Sequence, residues 1–156
     1  MEFPGRVLGL DLGARRIGLA VSDPEARLAF PAGCLRSEGP ERDLAALRQL
    51  VAAREIKRIV VGLPIHMDGR AGPEAEAARR FASEIAHATG VPVEMQDERW
   101  TTVEAERALR PASRRGSGQR GSRRSRRRRD PRGDVDAAAA TILLRTYLER
   151  TRAQSP

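Results

Sequence analysis

The sequence predicts an α/β fold with a central mixed five-stranded sheet flanked by helices. It opens with two short apolar runs separated by a tight turn, which is typical of a β-hairpin. Helical and strand-like segments then alternate, and strands joined through helices usually run parallel. A hairpin followed by such alternation therefore requires a mixed sheet with helices on its faces. With 156 residues and no internal repeat, we expect a single domain spanning 1–156.

Three strands are expected first. The run "RVLGLDL" (Arg6–Leu12) is short and apolar and is followed by Gly13, which is typical of a buried strand. The next run, Ile17–Asp23, is expected to pair with it as a hairpin. A third strand is predicted over Arg27–Leu35, where Pro31 favours an edge position because proline cannot donate to a sheet ladder.

The remaining segments alternate in type. Apolar residues at helical spacing and Pro/Gly boundaries predict helices, while short apolar runs predict strands. We expect the following elements: a helix over 41–56, a strand over 58–64, a helix over 72–90, a strand over 91–98, a helix opening with a capping box over 101–110, and a final helix over 134–150.

The positive charge is concentrated in one segment. Residues 1–113 carry 16 Lys+Arg and 17 Asp+Glu, whereas residues 114–132 carry ten Arg and one Asp. The Gly, Ser and Arg content of Ser113–Gly133 predicts a flexible arginine-rich loop at about 111–133. Such a loop would attract nucleic-acid phosphates, although a solvated charge run without a ligand is the alternative.

Several classes of protein are disfavoured. The sequence contains no stretch of 18 or more apolar residues, so no membrane span is expected. The N-terminus also lacks a signal-peptide pattern. A single cysteine, Cys34, cannot form an internal disulfide and is expected to be a small buried apolar residue. His66 and His87 have no spaced partner for metal binding. These features fit a cytoplasmic protein.

Acidic residues occur at three places where sheet and helix ends are expected to meet. Asp11 ends the first strand, Asp97 and Glu98 end the last strand, and Asp136 stands at the start of the final helix. Sites in such folds gather at the carboxyl ends of strands. Asp136 shares a helix face with apolar residues and is expected to point toward the sheet, whereas Asp134 is free to cap the helix.

Converging carboxylates would require a cation, because like charges in a partly buried site repel one another. Hard oxygen ligands without a cysteine or histidine cluster favour Mg²⁺ or Mn²⁺. A pair of such ions could support phosphodiester hydrolysis. Taken singly, Asp11 could form an Asx-turn, Glu98 could be a solvated charge, and Asp136 could complement the helix dipole.

The pattern of the last strand leaves the choice between its two acids open. Val91, Val93 and Met95 alternate with Asp97, which favours Asp97 as the inward-pointing side chain. A twist or bulge at the strand end could instead bring Glu98 inward.

Four stretches resemble the YqgF family, also called RuvX, of RNase H-like proteins: "GLDLGARRIGLAVSD", "IVVGLPIHMDGRAGP", "DERWTTVEAERAL" and "DVDAAAATILLRTYL". The resemblance implies an RNase H-like fold and a metal-dependent nuclease site of Asp11, Glu98 and Asp136. It therefore favours Glu98 over Asp97. It also implies maturation of the 5′ end of pre-16S rRNA or, alternatively, resolution of four-way DNA junctions.

The resemblance extends to residues that would bind nucleic acid. Arg99 follows the family motif and could contact a scissile phosphate, while Trp100 is expected in the core or stacked on a base. The arginine-rich loop is longer than the run in relatives. Its candidate phosphate-binding residues are Arg114, Arg115, Arg120, Arg123, Arg124, Arg126, Arg127, Arg128 and Arg129.

Three classes of function remain distinct at this stage. The first is a metal-dependent endonuclease acting on structured RNA or on branched DNA, where a homodimer would supply paired cuts. The second is an ATP-binding protein, because the first hairpin also resembles a phosphate loop of the actin–hexokinase superfamily; only one such loop is present. The third is a non-catalytic nucleic-acid-binding module whose acids are structural.

Overall fold

A five-stranded mixed sheet lies at the centre of the molecule, with strand order β3-β2-β1-β4-β5. The computed structural model describes residues 4–64, 68–98 and 131–154, and in the last range it describes side chains from Val135 onward. Neighbouring strands pair antiparallel in β1–β2 and β2–β3 and parallel in β1–β4 and β4–β5. The predicted α/β architecture with a mixed five-stranded sheet is therefore confirmed.

The described elements follow the predicted order. They are β1 (Arg6–Leu12), β2 (Arg16–Ser22), β3 (Ala29–Arg36), α1 (Pro40–Ala53), β4 (Ile56–Leu63), α2 (Pro73–Thr89), β5 (Val93–Asp97) and α3 (Pro131–Gln154). As Pro31 indicated, β3 is an edge strand. Gly90 ends α2 in the left-handed conformation, with φ 70°, as its position predicted.

Two predicted boundaries were wrong. The first helix ends at Ala53, and Glu55 takes a positive φ of 53° that turns the chain into β4. Ile56 is buried because it begins β4 beside Arg6, not because it belongs to the helix face. The last helix begins at Pro131, a residue suited to a first helical turn, so Asp134 lies inside the helix and is not its N-cap.

Two apolar layers cover the two faces of the sheet. Successive strand residues point to opposite faces, so Leu8 and Leu10 pack toward α1 and α2. Val7 packs on the other side against α3, in a cluster with Ala140 and Leu144. Because both faces are covered, β1 is apolar at nearly every position, as expected for a strand of a parallel sheet.

Two expectations fall largely outside the described residues: all of the helix over 101–110, and the arginine-rich loop at about 111–133 up to residue 130. The last three residues predicted for the loop belong instead to the first turn of α3. Within the part of the chain that the structure describes, no helix is long and apolar enough to cross a membrane.

Candidate active site

A row of four residues runs across the sheet near the carboxyl ends of β1, β4 and β5. Asp11 of β1 pairs with Gly18 of β2, and the parallel register brings Gly62 of β4 beside Asp11 on its other flank. Gly62 in turn pairs with Gln96 of β5. Residues in one row point to the same face. That face carries α3, because a Cβ at Gly9, two residues before Asp11, would meet Leu144.

Glu98 reaches Asp11 across Gly62. Glu98 follows β5 directly, and its carboxyl group lies so close to Gly62 that a Cβ there would overlap it. The carboxyl groups of Glu98 and Asp11 are joined by a side-chain hydrogen bond. Only glycine on β4 leaves the space through which the two acids meet.

The pKa of Glu98 is raised to about 8, chiefly by burial and then by its hydrogen bond to Asp11 and the charges of Asp11 and Asp97. A hydrogen bond between two carboxyl groups requires a proton on one of them. Near neutral pH, Glu98 therefore keeps its proton beside Asp11. A divalent cation would relieve the same repulsion by replacing that proton.

Asp136 lies on the other side of Asp11, above β2. Gly18 makes room for it, since a Cβ at Gly18 would overlap the backbone carbonyl of Asp136. The predicted apolar face of this helix packs on the sheet, where Ala140, Leu143 and Tyr147 are buried. The structure thus brings the acids to one sheet edge, with Glu98 touching Asp11 and Asp136 over the adjacent strand.

The fit of this arrangement to a metal ion rests on its donors. Carboxylate oxygens suit Mg²⁺ or Mn²⁺, and the raised pKa of Glu98 beside Asp11 indicates that a cation would relieve the repulsion between the two acids. Among the described side chains of residues 4–64, 68–98 and 135–154, no three from Asp, Glu, His or Cys are grouped closely enough to hold a metal as they stand. The donors fit the ion, and side-chain adjustment would have to bring them together.

The parity argument for Asp97 failed because it assumed one buried face. Met95 packs on the α2 side of the sheet, whereas Gln96 and Glu98 follow the α3 side. Gln96 is more deeply buried than Met95, with 2% of its surface exposed. In a sheet covered on both faces, alternation does not identify an inward side.

Sequence reasoning missed three residues of this region. Gly18 and Gly62 interrupt apolar strands, and glycine inside a strand often marks a close approach by another chain segment. Gln96 was treated as an ordinary strand residue. Its Oε1 accepts a hydrogen bond of 2.8 Å from Arg150 of α3, while its buried Nε2 has no hydrogen-bond partner among the described residues.

Other predicted residues give no structural test. The structure does not describe Arg99, Trp100, His66 or the nine candidate arginines between positions 114 and 129. His87 lies in the last turn of α2, where it is exposed.

A family model described as "RuvX: Holliday junction resolvase" matches residues 5–150. The chain belongs to the RuvX family. The resemblance inferred from the four sequence stretches is thereby confirmed.

Curated relatives match nearly the whole chain. A protein of Chloroflexus aggregans is 42% identical over 151 residues, covering 94% of each chain. One of Anaeromyxobacter dehalogenans (strain 2CP-C) is 44% identical over 145 residues, covering 93% of this chain and 97% of the relative. Both bear the name "Putative pre-16S rRNA nuclease".

Solved structures share the fold at low sequence identity. RuvC from T. thermophilus in complex with a Holliday junction substrate superposes with a TM-score of 0.58 at 16% identity, covering 97% of this chain and 98% of that one. The fowlpox virus Holliday junction resolvase gives 0.52 at 13% identity, covering 93% and 99%. These likenesses confirm that this chain has the RNase H-like fold that those resolvases have.

Proposed function

We propose that this protein is a metal-dependent endonuclease that hydrolyses phosphodiester bonds in structured RNA. The observation that carries the proposal is the contact of Asp11 and Glu98 over Gly62. Two acids hydrogen-bonded in a half-buried site are a costly arrangement that a cation would relieve. Membership of the RuvX family supports a nuclease at this edge of the sheet.

Asp11, Glu98 and Asp136 would hold Mg²⁺ or Mn²⁺. Bound there, such ions supply an activated water and stabilise the leaving oxygen of the phosphodiester. The chain's own contribution is positional. Gly62 and Gly18 leave space for Glu98 and the start of α3, and the hydrogen bond to Asp11 holds the Glu98 carboxyl above β4.

For the substrate we propose the precursor of 16S rRNA, cut at its 5′ end in the cytoplasm. Relatives 42% and 44% identical over almost the full chain bear the name of such a nuclease. Arg99 and the arginine-rich loop would contact phosphates. Such contacts are blind to sequence, so RNA shape or a partner would have to supply the specificity.

Four-way DNA is the second candidate substrate. The family description and the resolvases that share the fold favour it. A junction-cutting enzyme must cut two strands symmetrically, so this alternative requires two copies of the chain acting together.

The decisive experiment compares a labelled 5′ pre-16S fragment and a synthetic four-way junction, each with Mg²⁺, with Mn²⁺ and with chelator. We expect metal-dependent cleavage of the RNA. The variants Asp11→Asn, Glu98→Gln and Asp136→Asn should lose cleavage and keep RNA binding. The matched control is Glu84→Gln, an exposed acid on α2, which should cleave normally.

Two other results would each support a different function. Preferential cleavage of the junction would establish the resolvase alternative. RNA binding without cleavage in any metal, unchanged by the three acid substitutions, would establish a non-catalytic binding module. Mg²⁺ binding is checked separately by the shift in melting temperature, which should occur in the wild type and be lost in Glu98→Gln.

A further inference from the structure

A cavity opens at the carboxyl end of β1 and β4, on the face of the sheet opposite Asp136. It has a volume of about 350 Å³, within the range of small-molecule sites. Its walls are the β1–β2 turn at Gly13 and Ala14, the first residue of α1, and the first half of α2. Asp11, Glu98 and Asp136 are not among the residues that line it.

The cavity lies close to the proposed active site along the strands, but on the other face of the sheet. Leu12, which lines it, is the residue after Asp11, and Pro64 lies two residues after Gly62. A strand advances about 3.3 Å per residue, and phosphates of a helical strand are spaced by about 3.4 Å along its axis. Along the strand direction, the residues that line the cavity are therefore on the order of one nucleotide from Asp11, and a nucleotide would reach the cavity around the end of β1.

Its lining suits a flat, mostly apolar group. Leu12, Ala77, Ala78 and the ring of Phe81 form the apolar wall. Unstacked bases commonly insert between aromatic and aliphatic side chains of this kind. The apolar part alone would favour any planar ring.

The polar groups of the cavity indicate which bases would bind there. Asp43 is buried and fixed, because its two carboxylate oxygens accept hydrogen bonds from the Ser37 hydroxyl (2.6 Å) and the Glu38 amide (2.9 Å). Each oxygen keeps a further lone pair. Glu74 adds a second carboxylate at the rim. A carboxylate accepts from an exocyclic amino group, as carried by adenine, cytosine and guanine but not by uracil.

We propose that this cavity receives one unpaired, amino-bearing base of the RNA, next to the scissile phosphate. The inference rests on the proposed nuclease function and deepens it: the substrate would be cut beside an unpaired nucleotide. The base would cross the edge of the sheet at the Gly13–Ala14 turn, with its phosphate on the Asp11 side and its ring against Phe81.

The test has two parts: a tryptophan substitution fills the cavity, and an abasic nucleotide removes the base from the RNA. Ala77 and Ser83 are both small, exposed residues of α2, but of the two only Ala77 lines the cavity. Ala77→Trp should occupy the space, and Ser83→Trp is the matched control. The RNA is the 5′ pre-16S fragment, intact or carrying one abasic nucleotide at each position flanking the cut. Melting curves verify that both variants fold. Ala14→Trp fills the same cavity from the β1–β2 turn and should slow cleavage as Ala77→Trp does.

For the wild type we expect an abasic nucleotide at one flanking position to lower kcat/KM by about tenfold, the scale of one stacked base. Uracil at that position should cause a smaller loss. Ala77→Trp should be about tenfold slower on intact RNA and should show no further loss on the abasic RNA, because both changes remove the same interaction. Ser83→Trp should behave like the wild type.

The proposal is overturned if no abasic position matters, or if Ala77→Trp and the abasic change reduce the rate independently. If the wild type cleaves no RNA, the nuclease proposal fails by itself. The cavity is then judged by affinity: Asp11→Asn protein should bind the intact RNA more tightly than the abasic RNA, and adding Ala77→Trp should abolish the difference. Equal affinities would overturn the cavity proposal.

Discussion

Two acids near the carboxyl end of the sheet, the buried Asp43 and the half-buried Glu98, have opposite surroundings. Asp43, in the first turn of α1, is 5% exposed and accepts hydrogen bonds from Ser37 and Glu38. Glu98, after β5, faces the acid Asp11 and the charge of Asp97. A carboxylate that accepts hydrogen bonds from nearby donors stabilises the fold as an anion. A carboxylate that faces other carboxylates must take up a proton or bind a cation. The contrast separates an acid whose charge is satisfied by donors within the fold from one whose charge is not.

The largest effect should come from Glu98→Gln. Even residues that only support metal ligands cost about ten- to a hundredfold when changed, so we expect a proposed ligand to cost about a hundredfold or more in cleavage. The melting temperature without metal should not fall, because the amide is neutral at every pH and removes the cost of keeping a proton on Glu98. A loss of stability equal to that of Asp43 variants would show that the two acids do not differ.

Gly62→Ala should separate the position of Glu98 from its charge. The added methyl overlaps the Glu98 carboxyl group, which must move away from Asp11, and we expect a loss of cleavage on the order of tenfold to a hundredfold. Gly90→Ala is the control: it strains a left-handed helix end by about 1 kcal/mol and should leave cleavage intact. Equal cleavage by both variants would refute a positioning role for Gly62.

Asp43→Ala should act on stability. It leaves the Ser37 hydroxyl and the Glu38 amide without their charged acceptor, which should lower the free energy of unfolding by about 1–3 kcal/mol in urea titrations. Ser37→Ala should cost less, about 0.5–1.5 kcal/mol, since it removes one hydrogen bond and leaves the other. Unchanged unfolding midpoints for both variants would contradict a structural role for Asp43.

The last prediction concerns the pH dependence of stability without metal. Because the folded-state pKa of Glu98 is raised to about 8, the folded protein holds a proton that the unfolded chain releases near its ordinary value of about 4.3. The contribution of Glu98 to unfolding free energy is therefore full below that value and declines as pH rises toward about 8. Urea titrations across this range should show the decline in the wild type and lack it in Glu98→Gln. Saturating Mg²⁺ should remove it from the wild type.

Local patterns were sufficient for most elements. Apolar runs bounded by glycine or proline located β1 and β4, Pro31 marked the edge strand, and Gly90 marked the end of α2. The boundary at Ile56 was missed because an apolar residue at helical spacing is equally compatible with the first position of a buried strand. Such a conflict is settled only by pairing, here with β1.

By itself, the sequence determined the α/β class, the order of the described strands and helices, and the family that pointed to Asp11, Glu98 and Asp136. Only the tertiary structure decided that Glu98 meets Asp11, because that contact depends on the register that sets Gly62 beside Asp11 and on helices covering both faces of the sheet. Register and two-sided burial arise between segments far apart in the chain, so no local pattern of residues encodes them.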